Sequence, residues 1–279
     1  MKNSDLELRR CSAKDVDEIM VLQDQVLSEI EGDKSILRRN DAAMFEQCME
    51  EPHLSMGLYD GEELVGICIL YDGRGDDEDL SIGLERFTAT CSINLKLIMI
   101  RKKYQGMGFQ RGMIWISEKI ACARGYEYFC ATVSPINKYS RNNCLASGFQ
   151  YDHTAVKYGG ADRDVLVKKL GGAEAAAEVI QRAKALEGSG RKGAAIEGID
   201  LEKCYRGSIE LATTGDVIAF ENADTGEITY GLYLLQEQPG VLLFDAKKQC
   251  LAITAYEEAA NNLRVKQVWI NPIGGSNRV

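Results

Sequence analysis

Apolar and polar positions follow two different rhythms along the first 170 residues. Residues 5–11 read as a short strand ending at Ser12, a residue suited to cap a helix N-terminus. Val16, Ile19, Met20, Leu22, Val26 and Ile30 then recur near the 3.6 period, which predicts an amphipathic helix. A second helical stretch runs from about Asn40 to Glu50. After Pro52 the pattern changes to strands over 54–59 and 63–71, with Asp60-Gly61 as the turn between them. A polar loop covers 72–79, and residues 87–101 predict one long strand rich in Thr, Ile and Leu. Helix resumes near Gly108 and runs to about Arg124, with Met113, Ile114, Ile116 and Ile120 on its apolar side and Gly125 as its stop. A strand over 126–133, a short helix over 138–147 and two strands within 149–170, around Gly159-Gly160, complete this part.

The order β-α-α-β-β-β-α-β-α-β-β points to an α/β (α+β) domain over residues 1–170, a mixed central sheet flanked by helices. Residues 171–193 read as a connector. Gly171-Gly172 opens an alanine-rich helix over 173–186, and Gly188-Ser189-Gly190-Arg191-Lys192-Gly193 forms a linker. Residues 194–279 read as strands over 217–220, 228–235, 241–244 and 263–270, with a short helix over 256–262. Strands at roughly ten-residue spacing predict a small β-rich barrel or sandwich. This tail contains neither an internal repeat nor a catalytic motif.

Composition narrows the function classes. With 279 residues, 45% hydrophobic and 27% charged, disorder is excluded as the dominant state. Nine cysteines without a CxxC pair and only two histidines, His53 and His153, supply no zinc framework, so no metal is expected. The cysteines mostly fall inside apolar runs, as small buried hydrophobes in a reducing, cytoplasmic setting. Both histidines read as structural. The N-terminus lacks the apolar region of a signal peptide, and no run of about 18 apolar residues occurs. A net charge of −9 argues against nucleic acid and anionic membrane as partners. The charge is uneven, however. Between Arg86 and Ser117 stand Arg86, Lys96, Arg101, Lys102, Lys103 and Arg111, with no acidic residue.

Within that basic stretch a strand runs into Gln105-Gly106-Met107-Gly108-Phe109-Gln110-Arg111-Gly112, which opens a helix. Small residues at such a turn let consecutive N–H groups converge where the helix dipole also favours negative charge, the physics of a phosphate site. Neither the P-loop pattern nor the dinucleotide fingerprint is present. The whole arrangement resembles the GNAT superfamily of N-acetyltransferases over about residues 5–170. The resemblance rests on the long strand, the turn Tyr104 to Arg111, the following helix and strand, and Asn137-x-x-Ser140 leading to Gly148-Phe149. In that family a (Gln/Arg)-x-x-Gly-x-(Gly/Ala) loop binds the acetyl-CoA pyrophosphate, and Gln105, Gly108 and Gln110 occupy its places.

The resemblance implies acetyl-CoA as cosubstrate and acetyl transfer to a primary amine by direct attack on the thioester. It implies that the amides of Gly106, Met107, Gly108, Phe109, Gln110 and Arg111 hold the pyrophosphate. Backbone groups of Ile98 and Ile100 would pair with the pantetheine arm, where family members splay two strands. Asn137 would contact the pantetheine region, and Ser140 and Arg141 the cofactor's outer end. Two departures stand out: Gln110 replaces Gly or Ala, and Cys144 replaces a frequent proton-donating Tyr. Cys144 reads either as proton donor to the CoA thiolate or as a small buried residue, with Tyr139 as the other donor. The long strand carries no acid to serve as base; Glu85 stands at its mouth. Asp72 and the run Asp76 to Asp79 read as a solvated loop, or as acids that attract a cationic amine to the cleft. The acceptor is a small-molecule or peptide amine. The tail domain has three open roles: capping the amine site, forming a homodimer, or recognising a larger partner. The competing function is a non-catalytic acyl-CoA-binding or scaffolding protein.

Overall fold

A computed structural model describes residues 2–87, 91–186, 199–244 and 250–272. The chain divides into two units, Arg9–Gly171 and Met1–Leu8 with Gly172–Val279, so the boundary falls within the first strand, β1 (Glu7–Arg10). The first unit continues through α1 (Val16–Glu29), α2 (Ala42–Cys48), β2 (Leu54–Asp60), β3 (Glu63–Tyr71) and β4 (Ser92–Ile100). It is completed by α3 (Phe109–Ala123), β5 (Tyr128–Val133), α4 (Lys138–Ala146), β6 (Gln150–Lys157) and β7 (Ala161–Lys169). The strands lie in the order β2-β3-β4-β5-β7-β6. Every neighbouring pair is antiparallel except β4–β5, which is parallel because α3 carries the chain back between them.

Helices cover both faces of this sheet at β3. Ile67, Ile69 and Tyr71 join Val16, Ile19, Leu22 and Phe45 in one cluster, with Leu97 and Met99 of β4. On the other face Cys68 Sγ lies 3.2 Å from Ser117 Oγ of α3. Burial on both sides is why β3 reads as an unbroken apolar run instead of an alternating one. The expected helix face of α1 is also found, with Val16, Ile19, Leu22 and Val26 buried. The α2 start is held by Asp41, whose Oδ1 accepts the Met44 N–H at 2.9 Å.

The strand expected over 87–101 starts only at Ser92. Upstream, Leu80, Leu84 and Phe87 pack with Cys130, Val165 and Val167, so this segment serves as a lid on the sheet. The buried Asp152 carboxylate accepts the N–H groups of Glu85 and Arg86 at 2.8 and 2.7 Å, which takes those donors out of any ladder. Residues 88–90 lie outside the described residues.

The loop after β3 is tied down by its own acids. Asp72 accepts the Tyr126 hydroxyl at 2.7 Å, and its Oδ2 meets Arg74 Nη2 at 2.5 Å. Burial works to raise the Asp72 carboxyl, but the Arg74 and Tyr126 hydrogen bonds outweigh it and hold it below the usual carboxylate range. Its stabilisation is therefore complete above the unfolded value of about 3.9 and is lost as pH falls through the lower folded value. Asp72→Asn is expected to destabilise the unit by roughly 2 kcal/mol at pH 7 and to flatten the acid limb of its stability. Thermal unfolding between pH 7 and 3 checks this, and an unaltered acid limb in the variant would refute the assignment.

The second unit contains α5 (Gly172–Leu186), β8 (Tyr205–Gly207), β9 (Val217–Glu221) and β10 (Ile228–Leu234). Beyond these come β11 (Gly240–Phe244), β12 (Cys250–Ala255), α6 (Tyr256–Asn262) and β13 (Arg264–Ile270). Its strands run in the order β12-β11-β10-β9-β13-β8-β1, and β1 joins through Glu7↔Arg206 and Leu8↔Gly207. No pairing among the described residues closes them into the expected barrel, and no second sheet makes a sandwich. Instead α5 supplies the cover. Ala183 is buried, and Val179, Ile180 and Leu186 pack with Val217, Leu232, Leu234, Leu242 and Phe244. The helix expected in a connector thus contributes to this unit's core. The strands β8 and β12 were not foreseen, since neither carries a distinct alternation of its own. The glycine-rich stretch 188–193 lies outside the described residues.

Candidate active site

A single extra residue opens the sheet of the first unit. Ile69 pairs with Leu97 and Leu70 with Leu95, leaving Lys96 as a bulge in β4. The β4–β5 ladder runs from Ser92↔Tyr128 to Leu95↔Ala131 and stops at that bulge. β5 continues with β7 instead, through Thr132↔Val165 and Val133↔Asp164. Arg101 donates its N–H to the Val65 carbonyl at 2.9 Å, in register with the β3–β4 ladder. By alternation Met99 and Leu97 bond toward β3, while Ile98 and Ile100 turn their backbone groups to the open side. A cavity of about 110 Å³ occupies this opening, lined by residues 95–98, 131–134, 36–38 and Asn40. Glu78, Gln110, Asn137, Ser140, Cys144, Tyr158 and Arg163 complete its wall.

Next to the opening, the chain turns from β4 into α3 through Gly106 at φ 77° and Gly108 at φ 87°. Only glycine takes such left-handed angles without strain. Gly108 is the N-cap of α3, and no side chain caps that helix start. Buried Tyr104 and Phe109 anchor the two sides of the turn, the Tyr104 hydroxyl donating to Asp60 at 2.8 Å. Gln105 differs from its expected role in one respect: its Nε2 donates to the Ile100 carbonyl at 2.9 Å, so the side chain ties the turn to β4. Of the two strand residues expected to face a ligand, Ile98 lines the cavity, and the Ile100 carbonyl is already engaged.

The other expected binding residues form a network between α3 and α4. Gln110 Nε2 donates to Ser140 Oγ at 3.2 Å, and Gln110 Oε1 accepts from Asn143 Nδ2 at 2.6 Å. Asn137 caps α4 by accepting the Ser140 N–H at 3.1 Å. Arg141 pairs with Asp164 at 2.8 Å. The basic stretch is less positive in space than along the chain. Arg101 pairs with Glu29 and Glu63, Lys102 with Glu31, and Lys96 with Glu78. Arg111, exposed on the first turn of α3, has no ion pair among the described residues.

The expected proton-transfer residues are dispersed. Cys144 lines the cavity, but burial pushes its thiol up to about 12. Full transfer of its proton to a thiolate of ordinary basicity, near 8.5, is then uphill. Tyr139 is 87% exposed, and it and Glu85 are absent from the cavity wall. Of the acidic loop's carboxylates, several hold groups of the loop and its flanks. Asp76 accepts the Tyr71 hydroxyl, Asp79 holds Ser81, and only Glu78 reaches the wall, where Lys96 and Arg38 engage it. His53 stacks on Tyr71 at 4.2 Å and accepts the Asp72 N–H at 3.1 Å, while burial lowers its pKa, in keeping with a structural role.

Several wall residues carry no signal in the sequence: Arg38, Thr132, Tyr158 and Arg163. Tyr158 has φ 53°, rare for a non-glycine residue, and its hydroxyl lies 2.9 Å from Thr132 Oγ1. The Gly159-Gly160 turn beside it was legible; the strain at Tyr158 was not. Among the described residues no group of His, Cys, Asp and Glu could hold a metal, and no helix is long and apolar enough to cross a membrane.

No family model and no curated protein matches the chain. Among solved structures it is similar to an N-acetyltransferase from Staphylococcus aureus Mu50, at 16% identity and TM-score 0.46 over 59% of this chain and 97% of that one. It is similar to the ribosomal-protein-S18-alanine N-acetyltransferase from Escherichia coli at 12% identity and TM-score 0.46, over 59% and 94%. It is also similar to an acetyltransferase of the GNAT family from Streptococcus pneumoniae at 18% identity and TM-score 0.44, over 59% and 99%. Each of these similarities spans about 59% of this chain.

Proposed function

We propose that the chain transfers the acetyl group of acetyl-CoA to a primary amine by direct attack of the amine on the thioester carbonyl. One observation carries this reading: the β4–β5 ladder ends at a bulge beside an uncapped helix start entered through two left-handed glycines. The α3 start at this turn, which no side chain caps, suits a pyrophosphate, and the open edge of β4 at Ile98 suits the amide-bearing pantetheine arm, which would add to it as a short strand. Arg111, exposed on the first turn of α3, would add charge to the phosphate end. Held in this way, the thioester carbonyl meets the amine in the cavity, where orientation supplies much of the rate.

The protein's own acid–base contribution is small in this reading. Both Glu78 oxygens are engaged, Oε2 by Lys96 and Oε1 by Arg38, so the amine proton leaves to water. Cys144 keeps its proton and acts as part of the wall. Cys144→Ala is accordingly expected to retain CoA release within about three-fold, whereas loss of the general acid in a proton-transfer role would cost about 100-fold or more. Calorimetry with acetyl-CoA, together with CoA release across a panel of amines, tests the function. Binding without turnover would favour the non-catalytic acyl-CoA-binding alternative. Absence of binding would refute both.

A further inference from the structure

The wall of the cavity is cationic, opposite to what an acceptor carrying only an amine needs. Arg38, Lys96 and Arg163 face it against the single carboxylate of Glu78. Arg163 is the sharpest case. It is 7% exposed, and among the described residues its guanidinium donates to the backbone carbonyls of Asp162 at 3.2 Å and Ser35 at 3.1 Å. No carboxylate among the described residues pairs with it. A guanidinium is always charged and offers five donors, so a buried one with two neutral acceptors is short of an anion. The second cation stands close by: the Arg38 guanidinium lies 4.8 Å from the centre of the Tyr158 ring and the Arg163 guanidinium 6.0 Å from it. Tyr158 stands in the β6–β7 turn at φ 53°, with its hydroxyl 2.9 Å from Thr132 Oγ1.

We infer that the acceptor amine itself carries a carboxylate, gripped by Arg163 and assisted by Arg38, which makes an α-amino acid or a close analogue the substrate class. A planar carboxylate matches the fork of a guanidinium, and the resulting charge-assisted bonds discriminate strongly against a neutral amide in the same place. Lys96 is less suited to the task because Glu78 holds it closely, whereas Arg38 meets Glu78 only at 3.4 Å and is 47% exposed. The inference rests on the acetyl-transfer reading above. The same cations would also suit a phosphate of acetyl-CoA, and the experiment separates the two sources.

The test uses the full chain with acetyl-CoA and three amine classes: glycine and serine, their amides, and spermidine. CoA release gives kcat/KM, and thermal stabilisation of the CoA-loaded protein reports acceptor binding where turnover is slow. The amino acids are expected to exceed their amides at least ten-fold. Arg163→Gln should bring that ratio close to one with the acetyl-CoA KM changed less than two-fold, Arg163→Lys should keep part of it, and Arg38→Gln should reduce it several-fold. Arg38 is on the surface side, so its variant guards against a folding defect at buried Arg163. Equal or better use of amides or spermidine would overturn the inference and leave acetyl transfer standing. So would a loss of acetyl-CoA affinity in Arg163→Gln as large as the loss of acceptor selectivity, which would assign the site to a phosphate. Acetyl-CoA binding with neither turnover nor stabilisation by any amino acid would overturn it too, and failure to bind acetyl-CoA would overturn both readings.

Discussion

Gly108→Ala is expected to weaken acetyl-CoA binding by roughly five- to thirty-fold, the equivalent of the 1–2 kcal/mol that a left-handed backbone costs an L-residue. The effect is conformational and not a clash, because an added Cβ at Gly108 meets nothing within 4 Å. At φ 87° the alanine turn prefers to relax, and relaxation turns the amides at the start of α3 away from one another. The surrounding fold has reason to survive: Tyr104 and Phe109 on either side are buried, and Met107 between the glycines is 48% exposed. Calorimetry with acetyl-CoA, beside a circular dichroism spectrum and a thermal midpoint close to those of the parent, checks this. Unchanged affinity in a folded Gly108→Ala protein would mean that the pyrophosphate binds elsewhere.

Glu78→Leu is expected to destabilise the Arg9–Gly171 unit by roughly 3 kcal/mol, because it strands a buried ammonium without its counter-ion. The Lys96 side chain is only 9% exposed, and its remaining partner would be the Tyr71 ring, 4.1 Å from the ammonium. A cation–π contact is worth about 1–2 kcal/mol and does not replace a desolvated ion pair. Lys96→Met should cost less, since Glu78 retains Arg38 and is 28% exposed. Combining Lys96→Met with Glu78→Leu should recover much of the loss, as expected for a buried pair replaced by apolar side chains. Thermal or denaturant unfolding of the four proteins measures the coupling. Strictly additive losses would show that the pair contributes nothing as a pair.

The legibility of this protein follows the range of the interactions involved. The α1 stripe Val16, Ile19, Leu22 and Val26 could be read because a helix face repeats within four residues. The turn at Gly106 and Gly108 could be read because a positive φ is a local demand that nearly always selects glycine. Position in the chain was a poorer guide to charge. Six basic residues between Arg86 and Arg111, with no acid among them, read as a positive patch, yet Arg101, Lys102 and Lys96 are neutralised by Glu29, Glu31 and Glu78, two of which precede them by about 70 residues. The acidic loop was left with two readings, solvated or amine-attracting, and its position in the chain could not show that its carboxylates engage Tyr71, Tyr126, Arg74 and Ser81.

From sequence alone the chain determined its helices and most of its strands, the uncapped glycine turn and the burial of most of its described cysteines, all of which depend on near neighbours. The tertiary structure decided the rest. A bulge at Lys96 exists only against the register of β3, and the opening it makes exists only because β5 follows β7 beyond Ala131. Arg38, Tyr158 and Arg163 acquire a common purpose only when the segment before α2 meets the β6–β7 turn across more than a hundred residues. Local conformational preferences are written residue by residue, whereas the charge of a cavity is a sum over side chains that only folding brings together.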